Sequence, residues 1–75
     1  MSESEKMEIE KWRYTKTKAI SVLQRKAFDI IGDENPDMNE YNKLVDAVNV
    51  LKNMFSRDDM STEEIVEFVN EHVTF

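Results

Sequence analysis

Residues Asn35 to Phe55 read NPDMNEYNKLVDAVNVLKNMF, and their apolar members recur at Tyr41, Leu44, Val48, Leu51 and Phe55. The spacing alternates three and four, which puts all five side chains on one face of an α-helix, with Val45 widening the stripe. Pro36 suits a first helical turn, because an N–H there has no intrahelical partner to lose. Asn35 or Asp37 is placed to act as N-cap, and Asp37 with Glu40 has the spacing of a capping box. The stretch predicts a helix over about residues 36–56.

Working outward, two further helices emerge. N-terminal to this stretch, Ile20, Leu23, Ala27 and Ile30 form a second stripe, widened by Ala19 and Ile31. Ser2 with Glu5 opens that helix with another capping-box spacing. Gly32 closes it, the residue type that enters the left-handed region without steric cost. The prediction is one long helix over about 2–31. C-terminal to the stretch, Ser61 and Glu64 make a third capping box, with Met60 and Ile65 placed as a hydrophobic staple. Ile65, Val69 and Val73 carry the stripe, flanked by Val66 and Phe68, over about 61–73.

The chain has 75 residues, room for one small domain. It holds one Gly and one Pro, too few turn-formers for a multi-stranded β fold. Cysteine is absent, which removes disulfides and thiolate metal sites. The connections at Gly32–Pro36 and Ser56–Met60 are short, so consecutive helices become antiparallel neighbours. An all-α, up-down-up three-helix bundle with a long first helix follows, as a single domain over 1–75. At 1.5 Å per residue the first helix spans roughly 45 Å and the second roughly 30 Å. Residues 1 to about 12 therefore overhang, fraying or packing on something else, with Trp12 and Tyr14 at the edge of the overhang.

Charge is distributed unevenly. The formal net charge is −6, yet residues 11–26 hold Lys11, Arg13, Lys16, Lys18, Arg25 and Lys26 with no acid at all. Lys11, Lys18 and Arg25 are seven apart and form one ridge. On the third helix Glu63, Glu67 and Glu71 are four apart and share a face. Two consequences compete. Either the basic and acidic faces are solvated and neutralise one another, or each meets a partner.

Catalytic and metal chemistry find little to work with. A nucleophile–base pair needs an activating His or equivalent, and the one histidine, His72, sits in the last helix near the C-terminal end. One His and no Cys leave zinc without a ligand set. Asp33, Asn35, Asp37 and Asn39 have the alternation of a calcium loop. However, Met38 stands where its glycine belongs and Leu44 where its bidentate glutamate belongs. No cofactor and no metal are expected. The N-terminal sequence is acidic and lacks an apolar core, and no stretch approaches the ~20 apolar residues of a membrane span, so the expected compartment is the cytoplasm.

Function is therefore expected at the surface. Protein interfaces concentrate Trp, Tyr and Arg at their energetic centres. The expected reading is a non-enzymatic module that binds another protein as a regulator, inhibitor or accessory subunit. Its candidate residues are Trp12, Arg13, Tyr14, Lys18 and Arg25 on the first helix, and Glu63, Glu67 and Glu71 on the third. Trp12 has an alternative place as a cap over the end of the core, near Phe55. Small cores are marginal, so a homodimer through the first helix is a second expectation. The competing class is a nucleic-acid-associated protein using the ridge Lys11, Lys18 and Arg25, which the acidic balance disfavours.

Overall fold

A computed structural model describes residues 2–75 as three helices, α1 (Glu3–Ile31), α2 (Met38–Lys52) and α3 (Thr62–Asn70). They form the expected up-down-up bundle. α1 is its axis, and α2 and α3 both pack along it. The molecule is a rod, with extents of 51 × 16 × 16 Å. Among the described residues, no helix is long and apolar enough to cross a membrane.

Each helix starts where its cap side chain dictates. The Ser2 hydroxyl accepts the Glu5 N–H at 3.2 Å, and the Asp37 carboxylate accepts the Glu40 N–H at 3.2 Å. At α3 the box closes in both directions: Ser61 Oγ accepts from Glu64 N, and Glu64 Oε1 accepts from Ser61 N. Because Asp37 is the cap, α2 starts at Met38 and Pro36 lies ahead of the helix rather than in its first turn. Gly32 also departs from expectation. It stays in the right-handed region (φ −81°, ψ −6°), its N–H continuing the helical pattern to the Phe28 carbonyl at 3.0 Å. A side chain there would meet that same carbonyl at 3.3 Å, so what favours glycine is close approach, not backbone handedness.

Two helix ends fall short of the expected boundaries, and at both a distant lysine acts together with local side chains. α2 stops at Lys52, not near 56. Asn53, the C-cap, donates both its backbone N–H and its side-chain amide to the Asn49 carbonyl, at 3.1 and 2.9 Å. Beyond it, the Lys16 ammonium takes the Met54 carbonyl, and the Asp59 carboxylate accepts the N–H groups of Phe55 and Ser56 at 3.0 and 3.2 Å. The stripe consequently skips a position. Met54 is buried in the core, and Phe55 is 84% exposed instead of continuing it. α3 stops at Asn70, not 73. There the Lys26 ammonium takes the His72 carbonyl at 2.7 Å, and Asn70 Oδ1 accepts the Phe75 N–H, folding the chain end back.

The core runs the length of the contact between α1 and its two partners. Leu23, Leu44, Leu51, Ile65 and Val69 are its fully buried side chains. Ala19, Ala27 and Ala47 are buried among them, small enough for helices to approach closely. Trp12 belongs to this core. It is 4% exposed, and its indole N–H donates to the Met60 carbonyl at 2.7 Å. The expected overhang of residues 1–12 is thus shorter. The segment between α2 and α3 turns at Ser56–Asp59, where the Asp59 N–H donates to the Ser56 carbonyl at 3.1 Å, and lies alongside α1. Arg57 on that segment pairs with Glu8 at 2.8 Å. Only the turns before Glu8 project, with Met7 68% exposed; Met1 lies outside the described residues.

Candidate protein-binding surface

Six bases lie between Lys11 and Lys26, and the fold divides them into two groups. Lys16 and Lys26 hold the bundle together. Lys16 bonds the Met54 carbonyl while its ammonium sits 5.4 Å from the Trp12 ring centroid and 5.9 Å from that of Phe55. Lys26 ties α1 to α2 and to the turn after α3, pairing with Glu40 at 3.1 Å and donating to the His72 carbonyl. Lys11, Arg13, Lys18 and Arg25 face solvent, and among the described residues none of them is in an ion pair.

The basic face of α1 and the acidic face of α3 meet in one groove. Lys11, Tyr14 and Lys18 of α1 face Glu63, Val66 and Glu67 of α3 across a cleft of about 490 Å³. Its floor includes Thr15, which is buried. Phe75, folded back by its bond to Asn70, lines one end, and the Lys18 ammonium lies 5.3 Å from its ring centroid. The charges of α1 and α3 thus share a cleft without pairing at contact distance. Such a cleft offers a partner both signs of charge around an apolar centre.

The remaining sequence candidates sit elsewhere. Trp12 is buried and does not serve as a surface anchor; its place is over the end of the core, beside Lys16 and Phe55. Arg13 and Arg25 are exposed on α1 but outside this groove. Glu71 is the C-cap of α3 and lies by the start of α2, near Asp37, Glu40 and Lys43, so the acidic row of α3 is split between two sites. Reasoning from sequence missed three apolar side chains. Met7 lies off the core stripe of α1, Phe55 continues the α2 spacing, and Phe75 lies beyond the predicted third helix, 61–73.

A second cleft, of about 310 Å³, runs between α1 and α2 past Ala27, Phe28, Ile31, Tyr41 and Val45. Phe28 is 75% exposed at its edge. Among the described residues, no three His, Cys, Asp or Glu side chains converge as a metal site would require. Asp37 of the calcium-like alternation is occupied in capping α2. His72 stands edge-on to Phe68, with ring centroids 5.7 Å apart. Among the described residues, the one clearly perturbed acid is Asp59. Its hydrogen bonds from the Phe55 and Ser56 amides hold its carboxyl below the ordinary value of 3.8.

The chain matches no protein-family model, no curated protein and no solved structure.

Proposed function

We propose that this protein is a small, non-enzymatic interaction module that binds another protein through its helix surfaces, as a regulator, inhibitor or accessory subunit. One observation carries the reading. The bundle fills its core, yet leaves Met7, Tyr14, Phe28 and Phe55 each at least 68% exposed. Large apolar side chains standing in water on so small a surface are what an interface uses. Exposed bases flank them on α1, and the α1–α3 groove adds Glu63 and Glu67. The absence of cysteine suits a reducing compartment, and we assign the protein to the cytoplasm.

The nucleic-acid alternative receives less support. Glu63 and Glu67 line the same cleft as Lys11 and Lys18, and carboxylates there would be repelled by phosphate.

Photo-crosslinking tests the proposal. A photoreactive residue in place of Tyr14 should trap one discrete protein in cells, and the same residue at Asp46, exposed on α2, should not. Equal or absent trapping at both positions would contradict it.

A further inference from the structure

Three of the four most exposed apolar residues lie on one line of α1. Met7, Tyr14, Ser21 and Phe28 are seven residues apart, and all are exposed. A second row, Glu10, Thr17, Gln24 and Ile31, runs beside them at the companion spacing of three and four, also exposed, with its one acid in the first heptad. Together they are the two seam positions of a heptad repeat, turned away from the bundle's own core. A seven-residue repeat drifts only about 20° per heptad on a straight helix, which a gentle left-handed supercoil absorbs. The seam runs from Met7 to Ile31, roughly 36 Å at 1.5 Å per residue. At its far end Phe28 and Ile31 open onto the α1–α2 cleft, which can take a side chain.

The charge beside the seam selects the occupant. Lys11, Lys18 and Arg25 occupy the position that immediately follows the seam in each heptad, and Arg13 occupies the position just before Tyr14. These are the positions whose charge decides partner choice in helix pairs. We infer that the outer face of α1 docks an acidic amphipathic helix of a partner protein, about three heptads long, with apolar seam residues and Asp or Glu on its flanks. This rests on the interaction reading above and specifies its partner.

A second copy fits poorly. Parallel pairing brings Arg13 against the copy's Lys18, and antiparallel pairing brings the row Lys11, Lys18, Arg25 against itself. An anionic membrane fits poorly as well. Thr17, Ser21 and Gln24 place polar groups at the middle of the seam, and Glu63 and Glu67 lie beside Lys11 and Lys18. A partner helix can accept polar seam residues and aim its carboxylates at Arg13 and Arg25, which lie outside the groove that holds Glu63 and Glu67.

The test uses the full chain and two synthetic three-heptad peptides with Leu at both seam positions, one with Glu and one with Lys on the flanks. Binding is followed by fluorescence anisotropy at 0.15 M salt, the protein's own mass by light scattering, and vesicle association by sedimentation with phosphatidylserine. The Glu peptide should bind at least ~10-fold tighter than the Lys peptide. Phe28→Ala, and separately the pair Lys18→Glu and Arg25→Glu, should each weaken it ~10-fold while keeping the wild-type melting temperature. Equal binding of both peptides, no binding of either, or vesicle binding that Phe28→Ala abolishes would overturn the inference. So would a dimer mass that Phe28→Ala returns to monomer. Peptide failure with crosslinking from Tyr14 intact overturns the acidic-helix partner alone, and loss of both overturns the interaction reading too.

Discussion

Trp12 shows how one side chain ties two distant segments together. Its ring fills the end of the core, and its N–H satisfies the Met60 carbonyl, 48 residues away. Trp12→Ala removes both, and truncating a buried aromatic costs about 3–5 kcal/mol, a large share of the stability of a domain this small. Trp12→Phe keeps most of the ring and loses the hydrogen bond, about 1 kcal/mol. Urea unfolding should rank wild type, Phe and Ala in that order, and an Ala variant as stable as wild type would place Trp12 outside the core. Asp59 acts through hydrogen bonds to its carboxylate. Its carboxylate accepts the Phe55 and Ser56 amides, so its folded-state pKa lies below 3.8. A lowered acid contributes stability that is fully present above its unfolded value and fades as pH falls through the folded one. The Phe55 and Ser56 amide resonances should therefore titrate together with a midpoint below pH 3.8. A midpoint at or above that value would mean the turn is not held this way.

Helix ends respond to both local and distant groups. The α3 capping box is wholly local, and Ser61→Ala should cost about 1 kcal/mol. In a domain of this size that is a fall in melting temperature of about 4–8 °C, readable by circular dichroism. The end of α2 is different in kind. Met54→Ala should cost about 2–4 kcal/mol, since Met54 is 5% exposed, whereas Phe55→Ala should stay within about 0.5 kcal/mol. The reverse order would mean that α2 continues through Phe55. What was legible in the sequence follows the same division. The stripe Tyr41, Leu44, Val48 and Leu51 is written in spacing, and so are the caps at Ser2, Asp37 and Ser61, because each depends on neighbours three or four residues away. Phe55 misled because it continues that spacing, while the groups that end the helix include Lys16, 38 residues distant.

At the scale of the whole molecule, the bundle is a rod whose long helix has an inner face that packs and an outer face that does not. The charged groove was half legible. Lys18 and Glu67 were each visible as exposed charge, but their meeting across α1 and α3 depends on the rotation of one helix against the other, which no local pattern fixes. The outer face is readable in the sequence at Tyr14 and Phe28, which lie off the stripe of Ile20, Leu23, Ala27 and Ile30. Its significance rests on exposure, and only packing decides that. The central claim is that these two side chains serve binding and not folding. The most direct measurement compares the Tyr14→Ser, Phe28→Ser double variant with wild type, for unfolding free energy and for photo-crosslinking from a photoreactive residue at the neighbouring Thr17. The account predicts a stability change within about 1 kcal/mol, as for exposed positions, together with loss of the crosslinked partner. A loss of several kcal/mol, or crosslinking that persists unchanged, would contradict it.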